Sequence, residues 1–205
     1  MYIKEPDWRW NSGLKNRSAT REVIIHHSDS APETTAESID AWHKANGWAG
    51  IGYHFVIQKD GLIVRGRPEQ SVGAHSLDHN SASIGICLTG DFTISTPAPA
   101  QINSLETLVK YAVSKYGLGI KDVKRHRDVN ATSCPGASFP WAEFKAGLEE
   151  SGMQDWEKKL GAEALDALVV KGLVENPGQW KETLGEVTPQ WLFWTMIKRL
   201  TEKKG

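Results

Sequence analysis

Apolar and polar residues follow one another along the first 150 positions in a pattern that predicts short strands separated by helices. Apolar runs typical of buried strands are found at 23–26, in SASIGICLTG and at 123–126. Two further runs, in YHFVIQKDGLIVRGR, flank the turn-forming pair Asp60-Gly61 and predict a β-hairpin. Because strands and helices alternate, we expect an α/β fold in which a mixed central β-sheet is flanked by helices.

The first helix is predicted from a capping box and from helical spacing of apolar residues. The box runs from Thr34 to Glu37, and Gly47 is placed to end the helix. Trp42 shares a face with Ile39 at this spacing, so we expect its side chain in the core rather than at a binding surface.

Two more helices complete the predicted domain, and a polar arm precedes it. A continuous apolar stripe from Ile102 to Tyr116 follows TPAPAQ and ends at Gly117, which predicts a long amphipathic helix. The segment Phe139-Pro140-Trp141 starts the last helix. Residues 1–21 are polar and are expected to lie as an arm over the domain.

The pattern of residues along the chain changes after the segment 149–152, which we interpret as a linker. We predict two domains, 1–150 and 153–205, of which the second is small and helical. Such a short piece is small for an independent core, so it would dock on the first domain or form a homodimer with a second copy. Three of its four tryptophans would either stack on sugars of the cell wall or pack in a helical core: Trp180, Trp191 and Trp194.

Composition excludes several classes of protein. With 40% hydrophobic residues and a net charge of −1 the chain is an ordinary globular protein. No basic excess points to nucleic acid, and no stretch is long and apolar enough to span a bilayer, so neither partner is expected. The start, MYIKEPDWRW, predicts no signal peptide and hence a cytoplasmic location. In that setting Cys87 and Cys134 are better explained as a buried thiol and a metal ligand than as a disulfide.

Three residues could together hold a metal ion: His26 in IIHHSDS, and His126 and Cys134 in RHRDVNATSCPG. Two imidazoles and a thiolate suit zinc and leave one coordination position open, which is typical of catalytic rather than structural sites. Spacing alone leaves the alternative open. Each histidine could be a hydrogen-bonded core residue, and the cysteine an inert loop thiol.

Four segments of the first domain resemble the zinc-dependent N-acetylmuramoyl-L-alanine amidases: IIHHSDS, WHKANGWAGIGYHFVIQKDG, VGAHSLDHNSASIGICLTGDF and HRDVNATSCPG. This family includes the bacteriophage amidase-type lysozymes and the animal peptidoglycan recognition proteins. The resemblance runs from about residue 21 to residue 145, with the segments in the family's order and spacing. It implies hydrolysis of the amide bond between N-acetylmuramic acid and L-alanine in peptidoglycan, with Zn²⁺ as cofactor.

Residue by residue, the resemblance implies a zinc site made by His26, His126 and Cys134. It also implies that Tyr53, in the GYHF segment, faces the scissile carbonyl. A phenol there would donate a hydrogen bond to the oxyanion that forms during hydrolysis, where such donors have their largest effect.

Thr132 is the second catalytic candidate. It stands where phage relatives carry lysine and many recognition proteins carry threonine, and its hydroxyl would donate a hydrogen bond without adding charge. Cytoplasmic recycling relatives have a glutamate at the position of Cys87 and an aspartate as third ligand, and neither is present here. The phage-lysozyme and recognition-protein branch is therefore favoured, and the proton acceptor is either Tyr53 or a group that acts through water.

The resemblance also marks a substrate groove lined by His43, Trp48, His75 and Asn80. Aromatic faces and neutral hydrogen-bonding groups suit the sugar and amide groups of a glycopeptide. The alternative for His43 is a role in helix packing.

Three polar residues near these motifs are interpreted as structural. His27 and His54 are expected to support the fold or to orient a ligand from behind. Asp128 is expected to cap its loop rather than to act as a base.

Two other functions are less consistent with these residues. A non-catalytic peptidoglycan receptor of this family has typically lost the cysteine ligand, and a structural zinc domain would supply four protein ligands, so the intact trio argues against both. With no signal peptide predicted, a phage or prophage endolysin that reaches the wall after holin-type release is favoured. A host autolysin exported by another route is the remaining alternative.

Overall fold

The structure is a computed structural model that describes residues 1–150. Within these residues the elements are β1 (Ile3–Lys4), β2 (Glu22–His27), α1 (Ala36–Ala45), β3 (Phe55–Ile57), β4 (Ile63–Arg65), β5 (Ser83–Leu88), α2 (Pro99–Tyr116), β6 (Val123–Arg125) and α3 (Trp141–Glu150). The predicted domain at 153–205, its tryptophans and its proposed dimer contact lie outside the described residues, so the two-domain division stays a prediction. Among the described residues, no helix combines the length and apolarity needed to cross a membrane.

The strands form one mixed sheet in the order β1-β4-β3-β5-β2-β6. The pairs β2–β5 and β2–β6 are parallel, whereas β3 and β4 form the predicted antiparallel hairpin. Every residue of β5 is buried, as expected for a strand inside a sheet that is covered on both faces. The predicted mixed α/β fold is thereby confirmed. Strand β1 was not predicted, because a strand of two residues is too short to give a recognisable sequence pattern.

Helix α1 covers the face of the sheet that carries the candidate site. Its residues Ala36 and Ile39 join a buried cluster with Val56 and Cys87. In the β2–β5 ladder His26 is registered with Cys87, and registered residues of neighbouring strands point to the same face. The side chain of His26 therefore lies on the α1 face.

The start of α1 differs from the prediction by one residue. Thr35, not Thr34, is the N-cap, and its hydroxyl accepts the N–H of Ser38 at 3.2 Å. With Thr35 as the N-cap, Glu37 stands at N2 rather than N3 and so does not close a capping box, and its carboxylate accepts a hydrogen bond from Nζ of Lys4 at 2.8 Å. The N–H of Ala36 donates to Oε1 of Gln58 at 3.2 Å, so the start of the helix is capped by two side chains and tied by an ion pair to β1.

The prediction that Trp42 is a core residue is wrong, since its side chain is 48% exposed. The buried face of α1 extends from Ile39 to Asp40 instead. A carboxylate is drawn inward there because Asp40 accepts the backbone N–H of Ile51 at 2.8 Å. Trp42 lies outside this buried face.

The N-terminal arm contacts the domain through several side chains, among them those of Trp8 and Arg17. Nε1 of Trp8 donates to the carbonyl of Arg65 at 2.7 Å. The guanidinium of Arg17 donates to the carbonyls of Glu69 and Ser83, and its Nη1 lies 3.2 Å from Nε2 of His54. The arm is therefore fixed to β4, to β5 and to the loop between them.

Candidate active site

The three predicted zinc ligands lie together in the fold. His26 is near the end of β2, and His126 directly follows β6, which is the parallel neighbour of β2. Cys134 is on the loop that comes next. The candidate ligand atoms of the three residues all lie within 4.8 Å of one another, and Nδ1 of His26 is 3.8 Å from Sγ of Cys134.

The chemistry of these donors fits a zinc ion. Burial lowers the pKa of His26 and of His126, so both imidazoles are neutral, as metal binding requires. Burial raises the pKa of the Cys134 thiol to about 12, so it keeps its proton until a cation displaces it. Two neutral nitrogens and one sulfur are a ligand set of open, catalytic zinc sites.

Hydrogen bonds determine which nitrogen of His26 is free. Ser83 Oγ donates to the carbonyl of His79 at 2.7 Å, so it accepts from Nε2 of His75 at 3.4 Å. Nδ1 of His75 is then the acceptor for Nε2–H of His26 at 3.0 Å. The unprotonated nitrogen of His26 is consequently Nδ1, the one that faces Cys134.

Tyr53 lies beside this group. Its ring centroid is 5.2 Å from that of His26, with the planes tilted by 55°. Burial raises the pKa of Tyr53 well above its ordinary value, and the sulfurs of Cys87 and Cys134 add to the effect. The phenol therefore keeps its proton at neutral pH and remains a hydrogen-bond donor, the form that an oxyanion would require.

Cys87 lies closer to the candidate site than the sequence suggested. Its thiol is fully buried, burial raises its pKa, and it contributes in turn to the raised pKa of Tyr53. Sequence reasoning treated it only as a buried free thiol, which it is. The available signal was strand register, because a residue paired with His26 on the next strand points toward the same site.

Thr132 is on the ligand loop and is exposed. Its Oγ1 accepts the backbone N–H of Cys134 at 3.2 Å, which shapes the turn that presents the thiol. A hydroxyl that accepts one hydrogen bond still has its own proton to donate. Thr132 is thus placed close to the ligands with a donor left for a substrate.

Two of the predicted groove residues continue the aromatic row outward from the ligands. The ring of His43 is 5.7 Å from Tyr53 and 4.5 Å from Trp48, which is 42% exposed. Nδ1 of His43 accepts the N–H of Gly52 at 3.0 Å, so this histidine is also part of the scaffold. The row leads from His26 to the protein surface.

The other two predicted groove residues have internal partners. His75 is 9% exposed and contacts His26, as described above. Asn80 Oδ1 accepts the N–H groups of His75 and Ser76 at 2.7 and 3.0 Å, so it shapes the loop between β4 and β5. Contact of either residue with substrate stays a prediction.

The structural interpretation of His27 and His54 is confirmed. Nδ1 of His27 accepts the N–H of Phe92 at 3.1 Å. Nδ1 of His54 accepts the N–H of Gly85 and its Nε2 donates to Ser71, both at 3.0 Å, while burial lowers the pKa of His54 to about 3.

The interpretation of Asp128 as a loop cap is also confirmed. Its Oδ2 accepts the backbone N–H of Arg125 at 2.8 Å, and its carboxylate pairs with the guanidinium of the same residue. These bonds close the turn that begins at His126. The carboxylate of Asp128 therefore stabilises the turn that carries His126.

Comparison with known proteins supplies the family context for this geometry. Residues 16–137 match the model of a family described as N-acetylmuramoyl-L-alanine amidase. The endolysin of Enterobacteria phage T3 is 35% identical over 129 residues, which span 60% of this chain and 84% of that protein. Peptidoglycan-recognition protein SC1a of Drosophila melanogaster is 35% identical over 164 residues, spanning 73% of this chain and 87% of that protein.

A solved structure gives the same result for the fold. The endolysine N-acetylmuramoyl-L-alanine amidase LysCS from Clostridium intestinale URNW superposes with a TM-score of 0.68 and 42% identity, covering 72% of this chain and 95% of that one. The region that matches the family model contains all the candidate site residues, from His26 to Cys134.

Proposed function

The chain belongs to the N-acetylmuramoyl-L-alanine amidase family and is an amidase of peptidoglycan, and we propose that it works with a zinc ion held by His26, His126 and Cys134. The bond cleaved is the amide between the lactyl group of N-acetylmuramic acid and L-alanine of the stem peptide. The observation that carries the proposal is the convergence of two neutral imidazoles and a thiol within 4.8 Å, with a protonated phenol alongside.

The residues of the chain have distinct roles in this hypothesis. Zinc on these ligands would supply Lewis acidity and a nucleophilic water near neutral pH. The phenol of Tyr53 donates a hydrogen bond to the carbonyl oxygen as negative charge develops there. The hydroxyl of Thr132, on the ligand loop, donates a second hydrogen bond to the same oxygen. His43 and Trp48 offer aromatic surface on which the muramyl sugar is positioned.

The names of the relatives support a proposal for the biological setting. The phage proteins that match this domain are named endolysins. We propose that the chain is likewise a phage or prophage endolysin, which acts on the cell wall after holin-type release from the cytoplasm.

The decisive experiment uses purified protein and defined muropeptides, with products identified by mass spectrometry. Free lactyl-bearing glycan together with intact stem peptide is the expected outcome. Cleaved sugars or cleaved cross-links would overturn the proposed bond. Removal of metal by a chelator should abolish turnover and added zinc should restore it, whereas full turnover in the chelated, metal-free protein would overturn the zinc requirement.

A further inference from the structure

The loop between β4 and β5, residues 66–82, reaches both candidate histidine ligands. We infer that this 66–82 loop fixes the tautomer of each ligand, and that Asn130 is the positioning residue through which it fixes His126. The inference rests on the proposed zinc site and gives a role to a residue to which neither the ligand motifs nor the groove prediction assigned one.

The side-chain amide of Asn130 has one orientation that suits its neighbours. Nδ2 lies 3.2 Å from the carbonyl oxygen of Leu77, and since a carbonyl can only accept, the nitrogen end must face it. The oxygen end then faces Oγ of Ser76 at 2.5 Å and Nε2 of His126 at 3.1 Å. Because an amide oxygen can only accept, both of these groups donate to it.

This arrangement decides the protonation of the ring of His126. Nε2 carries the hydrogen, so Nδ1 carries the lone pair and is the nitrogen available to a metal ion. A metal-bound imidazole is normally oriented by such a hydrogen bond from its other nitrogen. Asn130 therefore accepts the Nε2–H of His126, just as His75 accepts the Nε2–H of His26.

Both chains of hydrogen bonds end on carbonyls of the same loop. The chain from His26 passes through His75 and Ser83 to the carbonyl of His79. The chain from His126 passes through Asn130 to the carbonyl of Leu77. The 66–82 loop thus determines which ring nitrogen is protonated in both histidines, although they lie 100 positions apart in the sequence. In each of them Nδ1 is left free to bind a metal ion.

The test compares two substitutions at one position. Asn130→Leu keeps the approximate size and removes the acceptor, and it is expected to weaken zinc affinity by about 10- to 100-fold. Asn130→Asp keeps an acceptor for Nε2–H of His126 but cannot donate to Leu77, and it is expected to restore most of the affinity. Zinc affinity is measured by competition with a chelator, and Asn103→Leu, at an exposed position of α2, is the matched control.

A second readout does not depend on the metal. In the zinc-free protein, ¹⁵N NMR should show the Nε2–H of His126 protected from exchange in the wild type and in Asn130→Asp, and unprotected in Asn130→Leu. A purely structural bridge between the loops would be broken by both substitutions. Equal losses in both variants, or unchanged affinity in Asn130→Leu, would overturn the inference. A wild-type protein that binds no zinc would instead overturn the proposed function on which it rests.

Discussion

Nδ1 of His26 lies 3.8 Å from Sγ of Cys134, although the two residues are 108 positions apart in the chain. The parallel pairing of β2 with β6 produces this approach, because it sets the segment after β6 against the end of β2. The backbone N–H of His27 also points at the sulfur at 3.4 Å. A donor in this position would stabilise a thiolate once the proton has left.

Cys134→Ser should lose zinc, because a hydroxyl is a far poorer ligand than a thiolate. Removing a supporting residue behind a ligand costs about 10- to 100-fold in metal affinity, so removing a ligand is expected to cost more. Metal content after dialysis measures the effect. Cys87→Ala is the control for loss of a buried thiol and should keep its zinc. Stoichiometric zinc in Cys134→Ser would show that the ligand set is wrong.

Tyr53→Phe should retain zinc and lose turnover. Loss of one oxyanion donor typically lowers kcat by about 10² to 10³, and the ring itself would still pack against His26. Metal content and kcat are measured on the same preparation. Tyr2→Phe, at a residue that is 76% exposed, removes an equivalent hydroxyl at the surface and should leave kcat unchanged. Wild-type kcat in a zinc-loaded Tyr53→Phe protein would remove Tyr53 from the mechanism.

Trp48→Ala should raise KM for muropeptides with little change in kcat. An aromatic face at the outer end of the row binds substrate and transition state alike, and a loss of about 1.4 kcal/mol corresponds to a tenfold weaker affinity. Trp42→Ala is the matched control, since Trp42 is similarly exposed on α1. If the two substitutions change KM equally, Trp48 has no special role in the groove.

His54 should make stability depend on pH. Its pKa is about 3 in the fold, against an ordinary value of 6.5. Between these values the unfolded chain binds a proton that the folded protein does not. Stability therefore decreases as pH falls from about 6.5 toward 3, by up to about 1.4 kcal/mol per pH unit.

Comparison with His54→Gln isolates this effect from that of other buried histidines. Glutamine keeps an amide for hydrogen bonding but does not titrate, so the free energy of unfolding should vary less with pH. Urea unfolding of the zinc-free proteins at about pH 7, 6 and 5 measures both slopes. Parallel slopes for the two proteins would show that His54 does not titrate as described.

The sequence predicted the strands, the hairpin and the clustering of His26, His126 and Cys134 well, because each depends on local pattern or on a family motif. The buried face of α1 was not predictable in the same way. The buried face includes Asp40, whose carboxylate accepts the N–H of Ile51. This is a contact between a helix and a loop, which the spacing of hydrophobic residues does not encode.

Asn130 shows a second limit of sequence reasoning. Within HRDVNATSCPG it reads as an ordinary loop residue, and only its partners give it a role. One of these is the carbonyl of Leu77, a backbone group 53 positions earlier. Every residue has a backbone carbonyl, so the sequence does not indicate which one Asn130 contacts. Only a three-dimensional structure could reveal the contact between Asn130 and Leu77.

Arg17 sets a practical limit on how far the amidase domain can be shortened at its N-terminal end. Its guanidinium satisfies the carbonyls of Glu69 and Ser83, and Ser83 is part of the chain that holds His26. A protein trimmed to the start of β2 would keep every ligand and every catalytic candidate. It would still lose the cation that contacts the surroundings of the site, so we expect a minimal active fragment to retain Arg17.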